Sequence, residues 1–421
     1  MMTQTFNSIY KVFAISVLIM TIFGLVMQTP AELINGLWII FSSPNVLVTD
    51  YIELAGLGPT LVNAGILSFA SVGMLIAFKH KAESGTISNL WLIVGFAFFG
   101  KHLFNVLPIF LGGFLYARFK GQPYKSSIMT ILVASSLAPA VSQQLFVGIE
   151  SYFLSILAAL GMGILIGFVF EPLAVNVKKI HDGFNLYNGG LTAGIIAIFI
   201  TSTFSSFGIE IGLKDIWSSG NNLIISIITI IVCVWMLFVG WYCNRELSIK
   251  DIFRRLKDIS KTKSDYYPEF GTFCYINMGL IGIFCILVAN ILGMEISGLA
   301  FGAIVTIIGF GANGKNIPSG AALMLGVAIG TFLSPFSLFD PGIIAAFFFV
   351  LALCPIPNVF GWHWGVVAGI IHIHLVTSLA VPSGGMNLYN NGLSAGFVAI
   401  LLVPMILVIK ARREAKIKNP N

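Results

Sequence analysis

Two kinds of polar cluster stand out in an otherwise apolar chain, and each occurs twice. Lys101 is followed by Asn105 and Pro108, and Lys315 by Asn316 and Pro318. A charge held within a membrane is costly, so by default it marks function. A lysine near the end of a half-helix attracts an anion or an electronegative solute. The plainer reading has both lysines snorkelling to the interface, or pairing with a carboxylate such as Glu171. The second cluster is Asn-Leu-Tyr-Asn: Asn185, Tyr187 and Asn188, then Asn387, Tyr389 and Asn390. Such amides line a polar solute path, or cap a helix and tie it to its neighbour. The glycines that follow (Gly189, Gly190, Gly194; Gly392, Gly396) read as close helix packing. Asn63 and Asn277, each in an apolar stretch, are weaker candidates. His372 and His374 are weaker still: two residues apart on a helix, they face different ways, which argues against a shared metal.

The elements that must position these groups are membrane helices. Of 421 residues, 57% are hydrophobic and 10% charged. A soluble domain keeps roughly 25% charged residues. Stretches of about 20 apolar residues, enough to cross a bilayer, recur along the chain. Buried from water, backbone groups must pair within each span, so the spans are helices. Alternation of polar and apolar residues is too scarce for an outer-membrane barrel. The five cysteines lie in or beside apolar runs without metal-ligand spacing. No nucleotide-binding loop, nucleophile elbow or metal-binding helix signature is present, so no enzyme, cofactor or metal is expected.

The chain repeats itself. Residues 184–198 (FNLYNGGLTAGIIAI) and 386–400 (MNLYNNGLSAGFVAI) share ten of fifteen positions at an offset of 202. Asn63 recurs as Asn277 and Gly100-Lys101 as Gly314-Lys315. Two membrane repeats follow, 1–212 and 213–421. In the first, spans are expected at 12–28, 60–78, 126–141, 152–172 and 186–205, with a broken segment at 90–117. In the second they are expected at 222–243, 272–291, 340–354, 362–380 and 388–409, with a broken segment at 297–331. The broken segments are either re-entrant hairpins or paired short crossings.

Basic residues orient the halves. Segment 29–49 has no Lys or Arg, whereas its equivalent, 244–268, has seven. The stretch 118–125 has Arg118, Lys120 and Lys125, and its equivalent, 332–340, has none. Cytoplasmic loops are the basic ones, so equivalent loops face opposite sides and the repeats are inverted. Both termini are then cytoplasmic. The connection 244–268 reads as a basic amphipathic helix on the inner surface, with lipid rather than nucleic acid as its partner.

Two spans, a broken segment and three further spans per inverted half resemble the layout of urea transporters. Leu107-Pro108 with Phe110 resembles the Leu-Pro segment of that family's re-entrant helix. The resemblance implies a pore between the two re-entrant segments and a trimer. The sequence itself looks more like an uncharacterised family of bacterial membrane proteins. The expectation is therefore an all-α integral membrane protein of two inverted-topology repeats, each with about five transmembrane helices and one re-entrant or broken segment. It would sit in the bacterial cytoplasmic membrane and pass a small polar solute, urea-like or a small anion, at the repeat interface. Embedded carboxylates for proton coupling are scarce, which favours a channel or uniporter over an ion-coupled transporter. A scaffold or an intramembrane enzyme is the alternative from another class.

Overall fold

The computed structural model describes residues 9–45, 49–209, 211 and 215–418. The boundary expected at 212–213 lies outside the described residues. Among those described the chain is helical, and its order of elements occurs twice. The first half runs α1 (Ile9–Met27), α2 (Pro30–Phe41), α3 (Tyr51–Ala55), α4 (Leu57–Ala77), α5 (Ser84–Phe96), α6 (Leu103–Phe119), α7 (Ile128–Ala134), α8 (Ala138–Gln143), α9 (Tyr152–Ile180) and α10 (Asn188–Ser206). The second runs α11 (Asn222–Cys243), α12 (Ile249–Ile259), α13 (Tyr267–Phe270), α14 (Cys274–Ile291), α15 (Gly298–Phe310), α16 (Ile317–Phe332), α17 (Pro341–Phe349), α18 (Pro355–Phe360), α19 (Trp362–Leu379) and α20 (Asn390–Lys418).

Among the described residues, eight helices are long and apolar enough to cross a membrane: α1, α4, α9, α10, α11, α14 (counted from Tyr267), α19 and α20. Each half thus supplies four, one fewer than expected. The spans expected at 126–141 and 340–354 are broken helices. Each has a short α-helix, a turn of 3-10 helix (Ser135–Leu137; Val350–Leu353) and a second short helix. Pro139 and Pro355 open those second helices. Proline supplies no backbone N–H and clashes with the preceding turn, which favours a break there.

The segments expected to be broken are broken. At 1.5 Å per residue, the 13 residues of α5 and of α15 reach only about 20 Å. Six residues then intervene before α6 and α16. Within the breaks Gly100 has φ +85° and Gly314 φ +132°, backbone that a residue with a Cβ rarely adopts. The pieces do not pack along each other as tight hairpins. α5 lies against α4 and α15, and α6 against α9; α15 and α16 pack likewise, against α14 and α5, and against α19. Gly112 and Gly167 sit at backbone contact between α6 and α9, as Gly326 and Gly369 do between α16 and α19. Across the halves the main contacts are α5 with α15 and α10 with α20.

The connection expected to be amphipathic is helix α12. Ser248 caps it, its hydroxyl accepting from the Asp251 N–H at 3.2 Å. Ile259 is buried and Ile252 and Leu256 pack on the core, while Ile249 and Phe253 are exposed.

Candidate functional site at the repeat interface

The two breaks are braced by the same bonds. Asn63 Nδ2 donates to the carbonyls of Ala97 and Lys101, both at 2.9 Å. Asn277 Nδ2 donates to those of Gly311 and Lys315, at 2.7 and 2.8 Å. These carbonyls lose their helical partners where the helix stops, and unpaired carbonyls are costly away from water. The recurring asparagines therefore hold the breaks open in a fixed shape.

The Asn-Leu-Tyr-Asn segments fasten the halves together reciprocally. Asn185 Nδ2 donates to the Gly392 carbonyl at 2.9 Å, and Asn387 Nδ2 to the Gly190 carbonyl at 3.4 Å. Each asparagine also accepts from the backbone N–H of its own tyrosine at 2.9 Å. Leu186 N–H donates to the Ala352 carbonyl, and Leu388 N–H to that of Ser136. The Leu186 side chain sits against Gly314 and Leu388 against Gly100, so each half's leucine closes over the other half's break. Gly190 and Gly392 meet back to back, and Gly194 and Gly396 take the opposite half's Leu393 and Leu191, as close packing requires.

Lys101 and Lys315 are both fully buried; neither snorkels. The pairing of Lys101 with Glu171 does not form, because Glu171 faces Lys120 at 3.9 Å. Each lysine lies over an aromatic ring: Lys101 Nζ is 5.2 Å from the Phe96 centroid and Lys315 Nζ 5.0 Å from that of Phe310. Tyr389 meets Phe96 edge-on at 4.9 Å, and Tyr187 meets Phe310 edge-on at 4.9 Å. The two tyrosine rings are 4.6 Å apart. Lysines and tyrosines of both halves thus gather round one aromatic centre. The symmetry ends at the hydroxyls. Lys315 Nζ hydrogen-bonds the Tyr187 hydroxyl, whereas Lys101 Nζ and the Tyr389 hydroxyl have no hydrogen-bond partner among the described residues.

Two cavities lead toward this centre. One, of about 370 Å³, is lined by Met129, Thr130, Ala174, Val175, Lys178, Leu186 and Asn188, and reaches Phe310 and Tyr389. The other, of about 570 Å³, is lined by Gly342, Ile343, Val376, Thr377, Ala380, Leu388 and Asn390, with Asp215 and Asp340 at its edge. At the offset of 202, Ala174, Val175, Lys178, Leu186 and Asn188 of the first correspond to Val376, Thr377, Ala380, Leu388 and Asn390 of the second. The second cavity stops at Leu388 and Asn390, and neither Phe96 nor Tyr187 lines it.

The remaining candidates make the following contacts. Asn105 accepts from the His102 N–H at 3.0 Å and donates to the Gly100 carbonyl and the Ser142 hydroxyl. Asn316 caps α16, accepts from the Ser319 N–H at 3.1 Å and donates to Tyr266 and Asn358. These two asparagines are not equivalent. Asn316 holds the cap position that His102 holds in the first half, and Ser319, which meets Asn358, matches Asn105, which meets Ser142. The prolines do not correspond either. Pro108 lies inside α6 and is buried against Gly163, whereas Pro318 is exposed in the first turn of α16. Asn188 meets His181 at 2.7 Å and Asn390 donates to the Val376 carbonyl at 3.4 Å. His372 lies between Asn391 and Ser394, both at 3.2 Å, and His374 is exposed on another face.

Phe96, Phe310, Leu186, Leu388 and Lys178 belong to the site although the sequence reading passed over them. The signal was present. Ile-x-Gly-Phe-x-x-x-Gly-Lys stands at 93–101 and again at 307–315, carrying each phenylalanine with its lysine.

Fold and site together define a multi-pass helical membrane protein with a buried polar centre. The chain belongs to the family described as "Protein of unknown function (DUF1576)", whose model matches residues 29–206 and 244–408. No curated protein and no solved structure matches the chain, so the urea-transporter likeness gains no support from known folds.

Proposed function

We propose that this protein moves a small polar solute across the bacterial cytoplasmic membrane, along a path at the interface of two inverted repeats, and is not an enzyme. One observation carries the reading: two cavities lined by equivalent residues approach one centre of buried lysines, tyrosines and phenylalanines. A scaffold has no need of matched polar groups at its midplane, and inverted-repeat transporters put their sites there. The reciprocal contacts support a pseudo-two-fold relation between the halves. The charge contrast supports an axis in the membrane plane: α12 carries four Lys and Arg and α2 carries none. The Lys178 cavity then opens to the cytoplasm and the Asp215–Asp340 cavity to the outside, with both termini inside.

The solute path is tested by swelling of proteoliposomes in urea, glycerol, formate and nitrate. At least one solute is expected to enter faster than into protein-free liposomes, and to lose that advantage in the Lys101→Met, Lys315→Met double variant. Equal rates with and without protein for every solute would sink the reading.

A secondary transporter is the second reading. The Lys178 cavity reaches the aromatic centre while its counterpart stops short, which fits a carrier open to one side at a time.

A further inference from the structure

The two breaks differ in one respect that points to a ligand. In one, Lys315 and Tyr187 hydrogen-bond each other. At the other, the Lys101 ammonium and the Tyr389 hydroxyl are both buried, and neither has a hydrogen-bond partner among the described residues. An ammonium taken from water without a counter-charge costs several kcal/mol, and among the described residues no carboxylate pairs with Lys101. We propose that Lys101 and Tyr389, which both contact the Phe96 ring, form the binding site of a small monovalent anion; this rests on the solute path proposed above.

Charge at the break selects the ligand class. The backbone carbonyls are engaged: those of Ala97 and Lys101 take the Asn63 amide, and that of Gly100 takes the Asn105 amide at 3.0 Å. Asn63 Oδ1 and the His102 ring nitrogens have no hydrogen-bond partner among the described residues, so acceptors are not lacking. A neutral, urea-like solute would still leave the ammonium without a counter-charge. A compact anion brings acceptors and a compensating charge. Tyr389 lines the cavity that holds Lys178, whose charge favours an approaching anion. The opposite cavity bears Asp215 and Asp340, which disfavour one.

The test is thermal unfolding of the purified full chain in detergent with sodium nitrate, formate or chloride, against sodium gluconate at equal ionic strength. A ligand that binds the folded state raises the midpoint with concentration. At least one small anion is expected to raise it saturably in the wild type. Lys101→Met should abolish the shift, Tyr389→Phe should require about tenfold more salt for the same shift, one lost hydrogen bond being worth about 1 kcal/mol or slightly more, and Lys315→Met should keep most of it. Methionine removes an uncompensated charge at similar volume, so Lys101→Met is expected to fold; if it does not, Tyr389→Phe and Lys101→Arg decide. No shift with any anion, or equal shifts in wild type and Lys101→Met, would overturn the proposal. A Lys101-dependent shift without flux of any solute leaves the anion site standing and removes the transport reading. Urea flux with no anion shift does the reverse.

Discussion

Lys101 and Lys315 occupy the same place in their halves, over Phe96 and Phe310, behind breaks braced by Asn63 and Asn277. Lys315 is bonded to the Tyr187 hydroxyl, whereas that of Tyr389 has no hydrogen-bond partner among the described residues. The same asymmetry appears in the cavities, since the one that reaches the centre reaches it at Tyr389 and Phe310. Equivalent sequence therefore does not impose equivalent states. Shared bonds fix the shape of each break, and contacts across the halves decide which lysine is satisfied. That division separates the frame, where equivalent substitutions should have equal effects, from the centre, where they should not.

The largest effect is expected where the halves touch. A Cβ on Gly190 would lie 2.7 Å from the Gly392 Cα, and one on Gly392 would lie 2.9 Å from the Gly190 Cα. Backbone cannot move aside there as a side chain can. Gly190→Val and Gly392→Val should each cost at least about 3 kcal/mol, read as a lowered unfolding midpoint in detergent. A large drop from one and none from the other would break the two-fold reading of this contact.

The braces come next. Asn63→Ala removes the donor of two buried carbonyls, and Asn277→Ala removes that of two more. Each should lose about 2 kcal/mol. Equal losses in denaturant unfolding would sharpen the view that the frame is symmetric. A loss of solute movement at unchanged stability would contradict it and return the asparagines to the path.

How much of this was legible in the sequence depends on the kind of information asked for. Apolar stretches and glycine-lysine breaks are local, and they located the eight long helices and both interruptions. Repetition was legible in Asn-Leu-Tyr-Asn. What recurrence could not supply was register within the breaks. Asn105 and Asn316 each follow a lysine, yet one bonds behind the turn and the other caps the helix. The offset of 214 shared by Asn63/Asn277 and Lys101/Lys315 already placed His102 opposite Asn316. The breaks in α7–α8 and α17–α18 were hidden because both pieces are apolar, and hydropathy does not register a 3-10 turn. The cross-half contacts, Leu186 on Gly314 and Asn185 on Gly392, join segments more than 100 residues apart. Chain order alone does not bring them together.

The smallest effect separates the two tyrosines. Tyr187→Phe removes the hydroxyl that the Lys315 ammonium bonds and leaves a second buried lysine without a partner. Hydrogen bonds to charged groups contribute about 1.5–3 kcal/mol, so a loss of about 1.5 kcal/mol is expected. Tyr389→Phe removes a buried hydroxyl that bonds nothing among the described residues. Without added anion, its cost should be under about 0.5 kcal/mol, and deleting an unsatisfied polar atom can even stabilise. Both substitutions keep the ring, so the tilted ring contact at 4.6 Å and the contacts with Phe96 and Phe310 stay in place. The difference between the variants therefore isolates the hydroxyls. Unfolding midpoints measured side by side in gluconate should put Tyr187→Phe below Tyr389→Phe. If the two are equally destabilised, Lys101 and Tyr389 bond in solution as Lys315 and Tyr187 do, and the asymmetry at the centre is lost.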